Sequence, residues 1–212
     1  VLFRSVYIKN KINSKYDVPF PFDKEYFLCL IHENKDAKGI IITYPNYYGI
    51  CLDLSYIIAT AKKYNIKVLV DAAHGAHFGA NKLLPENPLK MGANMVVMSA
   101  HKTLPSLTQT AFLHVGADMD ISKVDFYVSA FLSTSPSYMF LCSMDYARFY
   151  IEEYGENDYE ELIKICKLNR VKINKLDKFH ILGQEDLEDV SGNSIKYINK
   201  YTLDLTRYIL NV

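Results

Sequence analysis

Two stretches decide the fold: VLVDAAHGAHFG at residues 68–79 and VVMSAHKTLPSLTQT at residues 96–110. Each opens on a short apolar run and ends abruptly in polar, reactive side chains. Apolar runs this short, bounded by glycine and polar clusters, read as buried strands rather than helices. The first run delivers a carboxylate, Asp71. The second delivers a hydroxyl, an imidazole and an amine: Ser99, His101 and Lys102.

The pattern extends outward from this pair. GIIIT at 39–43 is another β-branched run, and a loop, Y-P-N-Y-Y-G, follows it at 44–49. Asp53 reads as an N-cap, with Leu54, Ile57, Ile58 and Ala61 at helical spacing up to Tyr64. A further strand is expected at 111–115. Strand, helix, strand, loop, strand in this rhythm predicts an α/β fold with a mostly parallel sheet flanked by helices. Strands without polar alternation should be covered on both faces. Ligands of such sheets lie beyond the carboxyl ends of strands. That topology gathers Asn46, Asp71 and 99–102 at one edge.

After Ser143 the character changes. Residues 144–154 and 159–176 read as two helices, and 181–193 as a polar connector. This suggests a partial major domain over 1–150. A helical connector and the start of a truncated second domain would follow over 151–212. The chain opens as if inside a domain and closes inside a strand-like run, so a fragment incomplete at both ends is expected.

Composition narrows the function. The chain has 212 residues, half of them apolar, with 24 basic and 24 acidic side chains. A zero balance offers no electrostatic case for nucleic acid or an anionic membrane. No apolar run has the length of a membrane span, and no signal-peptide pattern opens the chain. The four cysteines lie far apart with no C-x-x-C pair. They read as reduced thiols of a cytoplasmic protein.

An acid and a lysine at the ends of neighbouring buried strands are what a pyridoxal 5'-phosphate site needs. The lysine amine forms a Schiff base, and the acid keeps the pyridine nitrogen protonated so that the ring accepts electrons. Lys102 and Asp71 are the candidates, the lysine activated by burial or by nearby cations. Ser99 and His101 can donate to phosphate oxygens, and a ring can lie flat on the Ala73 methyl. A metal site is the competing reading: His74 and His77 lie three apart, near Asp71 and His101. The glycines at 75 and 79 make that stretch a loop rather than a helix, so the expectation is no metal.

These residues carry a resemblance. D-A-A-H-G-A-H-F with S-A-H-K-T-L resembles the major domain of the bacterial Orn/Lys/Arg decarboxylases, fold-type I pyridoxal phosphate enzymes similar to aspartate aminotransferase. T-Y-P-N-Y-Y-G at 43–49, S-T-S-P-S-Y at 133–138 and S-M-D-Y-A-R at 143–148 agree with it. The resemblance implies a PLP-dependent transferase-like large domain and a lyase that decarboxylates lysine, ornithine or arginine to the amine, a polyamine precursor. It implies Lys102 as the Schiff-base lysine, Asp71 on the pyridine nitrogen and Ala73 under the ring. His74 would stand beside the cofactor near the substrate, with Ser99 and His101 on the phosphate. Ser133, Thr134 and Ser135 would approach the partner subunit's site, making a homodimer or larger homo-oligomer the working unit. Asn46 takes the place of the family's usual threonine in P-T-Y-Y-G. Phe3, in F-R-S, takes the place of a ring-stacking histidine. An aminotransferase or lyase reaction on the same cofactor, or a non-catalytic fragment, are the alternatives.

Overall fold

A computed structural model describes residues 4–188 and 202–212. Phe3 and the end of the 181–193 connector lie outside the described residues. The elements run β1 (Lys11–Asn13), β2 (Val18–Phe20), α1 (Lys24–Glu33), β3 (Gly39–Thr43), β4 (Ile50–Cys51), α2 (Leu54–Lys63) and β5 (Lys67–Asp71). Then come β6 (Met95–Ser99), α3 (Ala100–Thr103), β7 (Ala111–Val115), α4 (Ile121–Phe131) and α5 (Tyr138–Ile173). β8 (His180–Ile181), α6 (Gln184–Glu188), β9 (Thr202–Leu203) and β10 (Leu210–Asn211) follow.

The central sheet has the order β3-β5-β6-β7. The first three strands are parallel, and β7 returns antiparallel to β6. The predicted strands and the mostly parallel α/β architecture are therefore present. α2 forms where expected: the Asp53 carboxylate accepts the Tyr56 N–H at 3.1 Å, satisfying one orphan donor of the first turn. Lys62 and Lys63 sit in its last turn, where cations suit the helix dipole. Ile57, Ile58 and Ala61 of α2 join Phe27 and Ile31 of α1 and Ile42, Val68, Val70, Val96 and Met98 of the sheet in one core. A second core joins Val18 and Phe20 of β2, Ile50, Leu182, Leu187 and Leu203. It ties the C-terminal segment to the loop edge of the sheet.

Two expectations need correction. The sheet is covered on one face only among the described residues. Val68, Val70, Val96 and Met98 are buried, whereas Ile41, Val97 and Leu113 on the opposite face are 78%, 40% and 41% exposed. The period-2 alternation of a strand separates the two sets. The two helices expected over 144–176 are one continuous α5 of 36 residues. The G-E-N-D stretch at 155–158 reads as a break, but Gly155 is buried in the helix, and a Cβ there would stand 3.5 Å from the Ala80 Cβ. Asn81 Nδ2 donates to the Glu156 carbonyl at 2.7 Å and holds the helix against this loop. Residue 150 lies inside this helix. No described helix is long and apolar enough to cross a membrane.

The close approach at Gly155 is testable. A Cβ there would already lie 3.3 Å from Ile151 Cγ2. Gly155→Leu should destabilise the chain by about 1–3 kcal/mol through overpacking. Gly155→Ala should stay within about 1 kcal/mol of the parent, because the gain in helix propensity offsets the tighter contact. Urea unfolding of both variants checks this.

Candidate active site

Three strand ends share one edge of the sheet: Thr43 closes β3, Asp71 closes β5 and Ser99 closes β6. Register places Thr43 beside Asp71, and Asp71 beside Val97, two residues short of Ser99. Residues two apart on a strand project from the same face. Asp71 and Ser99 therefore rise from the same side of the sheet. Asp71 is half-buried, and its Oδ1 accepts the Ala73 N–H at 3.0 Å, which orients the carboxylate at the start of the next loop.

That loop folds as successive turns: Gly75 N–H donates to Ala72 O at 2.9 Å and Phe78 N–H to Gly75 O at 3.0 Å. Glycine is needed at 75, since a Cβ would come within 2.8 Å of Pro45 Cδ. The loops after β3 and β5 are thereby packed against one another. His74 stands between them. The Tyr47 ring meets it edge-on at 5.4 Å, and Arg207 Nη2 donates to its Nδ1 at 3.0 Å. Burial holds the His74 pKa below its ordinary value, the Arg207 and Lys102 cations add to this, and Asp71 opposes it. One imidazole thus feels both the predicted acid and the predicted lysine.

Lys102 lies in the short helix α3. It is exposed rather than buried, and it makes no ion pair among the described residues. Of the two expected means of activating this amine, burial or nearby cations, burial is thereby removed. The turn carrying it leaves β6 at the sheet edge, where only one face is covered. Ser99 precedes α3, and its side chain caps nothing there. His101 Nδ1–H donates to the Thr110 carbonyl at 2.9 Å, leaving Nε2 to face other groups. The return to β7 is stapled: Thr110 Oγ1 donates to Leu107 O at 2.7 Å, and Ser106 bridges Thr110 to Ser143 of α5. Tyr159 of α5 donates to the Thr103 carbonyl at 3.0 Å. The backbone beside Lys102 is therefore anchored even though its side chain is open.

The remaining predicted residues have other surroundings. Asn46 Oδ1 accepts the N–H groups of Tyr48 and Ile50 at 3.0 and 2.9 Å, and its Nδ2 donates to Pro19 O at 2.9 Å. Its amide is committed to shaping the loop, with one N–H to spare. Ser133, Thr134 and Ser135 sit in the exposed turn between α4 and α5, where Ser133 Oγ accepts the Ser135 N–H at 3.1 Å. The structure does not gather them with Asp71 and Lys102 in this protomer. The metal reading needs His74 and His77 to share an ion, but His74 faces the Arg207 cation and His77 faces Asp204.

The residues that sequence reasoning missed come from the C-terminal segment. Asp204 is completely buried, and its Oδ2 lies 3.1 Å from Nε2 of His77, itself only 2% exposed. Burial alone would raise the Asp204 pKa. The His77 ring outweighs it, helped by the N–H and hydroxyl of Thr206, and the carboxyl sits below its ordinary range. Arg207 Nε lies 3.6 Å from the same carboxylate, and Gly49, at φ +83°, leaves the space that the Arg207 side chain occupies. The His77 ring stacks on Tyr159 at 5.4 Å, and burial, then Asp204, pushes that phenol up to about 12. An acid and a base three apart in a strand-like tail are ordinary surface spacing, so no local signal marked Asp204 or Arg207.

A family model described as Orn/Lys/Arg decarboxylase, major domain, matches residues 4–200. An uncharacterised protein of Bacillus subtilis, YaaO, is 42% identical over 153 residues, covering 71% of this chain and 32% of its own. An arginine decarboxylase of the same organism is 30% identical over 209 residues, covering 98% of this chain and 41% of its own. The chain therefore spans less than half the length of these relatives. The constitutive lysine decarboxylase structure from E. coli superposes with a TM-score of 0.66 at 18% identity, over 84% of this chain and 28% of that one. That likeness establishes the fold, the expected large-domain α/β architecture.

The buried pair gives a stability prediction. Asp204→Ala should destabilise the chain by about 3 kcal/mol, because it leaves His77 buried without its partner. The parent should also carry an acid-sensitive share of stability that the variant lacks. A carboxyl with a lowered folded pKa stabilises fully above the ordinary carboxylate range and loses that share as pH falls through the lowered value. Urea unfolding of both chains at neutral and at acid pH measures the two effects.

Proposed function

Because the chain belongs to the Orn/Lys/Arg decarboxylase family, we propose that it serves the removal of the α-carboxylate of a basic amino acid, with pyridoxal phosphate held at the strand edge. Lysine, ornithine and arginine are the substrates in view, each converted to its amine and carbon dioxide. The observation that carries this reading is that the adjacent parallel strands β5 and β6 end at the same edge of the sheet, one in Asp71 and the other in Ser99 with Lys102 three residues beyond it.

The side chains present fit the cofactor. An oriented carboxylate, an accessible primary amine, an uncommitted hydroxyl and an imidazole nitrogen lie along one edge. Thr103 Oγ1, next to Lys102, is buried without a hydrogen-bond partner among the described residues, so further hydroxyl capacity exists beside the amine. When bound, pyridoxal phosphate supplies an electron sink for the pair released from Cα. Lys102 is the group that holds the cofactor covalently through Nζ. Asp71 holds a proton on the pyridine nitrogen, and its hydrogen bond from Ala73 keeps the carboxylate turned for that task. Ala73 would offer the cofactor a methyl rather than a bulky side chain. His74 stands at the side, between the Tyr47 ring and Arg207. Ser99 donates a hydroxyl to the phosphate. His101 can donate through Nε2 only as the imidazolium, because its Nδ1 proton is engaged by Thr110.

The working unit proposed is a homodimer or larger homo-oligomer. No residue of α4 is buried, and Phe126, Phe131, Leu132 and Tyr138 around the 133–137 turn are 67%, 88%, 64% and 79% exposed. Large apolar side chains exposed in this number favour association. It would bring Ser133, Thr134 and Ser135 against a second copy.

Borohydride reduction of the chain with pyridoxal phosphate should place the cofactor mass on the peptide containing Lys102, and Lys102→Ala should abolish it. Cofactor mass spread over several surface lysines, unchanged in the variant, would overturn the assignment. Carboxyl-labelled lysine, ornithine and arginine then separate decarboxylation, which releases labelled carbon dioxide, from amino transfer, which leaves a labelled keto acid.

A further inference from the structure

Arg207 is built into the molecule rather than draped on it. Its backbone carbonyl accepts from Nη2 of the buried Arg170 of α5 at 3.1 Å, and Arg170 Nε donates to Leu182 O at the same distance. Its side chain lies over Gly49, where an added Cβ would come within 2.9 Å of Arg207 Cδ. Asp204, pinned by His77, stands 3.6 Å from Nε, and Nη1 reaches Tyr47 O at 3.5 Å. These contacts leave Nη2 aimed at one acceptor, Nδ1 of His74, at 3.0 Å.

A guanidinium has only donors and stays protonated. A nitrogen that accepts from it must carry a lone pair. Nδ1 of His74 is therefore unprotonated, and the ring proton sits on Nε2. We propose that Arg207 is a positioning residue of the candidate site, holding His74 as the neutral tautomer with its proton on Nε2, so that this N–H is what the imidazole presents to a bound group. The proposal deepens the functional reading above, on which it rests for the role of His74. The tautomer itself is a property of the chain alone.

The charged groups facing His74 are Arg207 from the C-terminal segment, Lys102 from α3 and Asp71 from β5, with the uncharged Tyr47 ring edge-on from the 44–49 loop. Burial first, then the two cations against the one anion, hold the His74 pKa below its ordinary value. Loss of Arg207 removes both a charge and the donor that selects between the two nitrogens.

The test is ¹H–¹⁵N NMR of histidine-labelled chain without cofactor, the His74 signals identified by their loss in His74→Gln. The parent should show an unprotonated Nδ1 and a protonated Nε2, titrating below the ordinary histidine midpoint. Arg207→Met should give mixed tautomers and an upward shift of that midpoint. Arg207→Gln, which keeps an N–H donor without the charge, should retain the Nε2–H tautomer while the midpoint rises, and it carries the test should the methionine variant fail to fold. A His74 spectrum and midpoint unchanged in a folded Arg207 variant would overturn the proposal, as would a proton on Nδ1 in the parent. Because no cofactor is present, failure of capture at Lys102 leaves this result intact, and an overturned tautomer leaves the capture result intact.

Discussion

A fully buried carboxylate facing an almost fully buried imidazole is the constraint around which the site is arranged. Asp204 and His77 come from segments 127 positions apart, one in the C-terminal turn and one in the loop after β5. The Asp204 carboxylate could not remain in the interior unpartnered, since a lone buried charge costs several kcal/mol. The pair therefore locks the tail of the chain onto the loop that begins at Asp71. Tyr159 stacks on the His77 ring and donates to the carbonyl of Thr103, so the same lock extends to the residue following Lys102.

The strand edge and the tail supply different things. The parallel strands set the edge: their carboxyl ends leave Asp71 and Ser99 on one face, and the segments that follow, a loop after β5 and α3 after β6, carry His74 and His101 with Lys102. The tail supplies orientation. Arg170 grips the backbone of Arg207, Gly49 makes room for its side chain, and its guanidinium meets His74. Burial first, and then the Arg207 and Lys102 cations, lower the pKa of His74 despite the opposing Asp71 carboxylate.

The open side of the molecule belongs to the same picture. Lys102 is exposed, one sheet face carries exposed Ile41, Val97 and Leu113, and α4 buries nothing. The loops around His74 are tightly packed, by contrast, with Gly75 against Pro45 and Asn46 holding Tyr48 and Ile50. The loops around His74 are thus closely packed, while the Lys102 side chain is exposed.

Local sequence determined the strands to within a residue at each end, as runs at 39–43, 68–70, 95–98 and 111–115, the α2 cap at Asp53, and the placing of Asp71, Ser99, His101 and Lys102 at or just beyond strand ends. These follow from short-range rules: apolar run length, capping chemistry and the turn-forming residues after each strand. The continuity of α5 could not be read that way, because Gly155 looks like a break until Ala80 is seen against it. The work done by Asn46 was hidden too, since its oxygen answers N–H groups that only the folded loop presents. Asp204 and Arg207 were beyond reach for a deeper reason. Their importance comes from what they touch, His77 and His74, more than a hundred residues away, and no periodicity or spacing encodes such a meeting. Local sequence could name the groups that do chemistry; only the tertiary structure could decide which charges surround them, because electrostatic and packing partners are set by proximity in space.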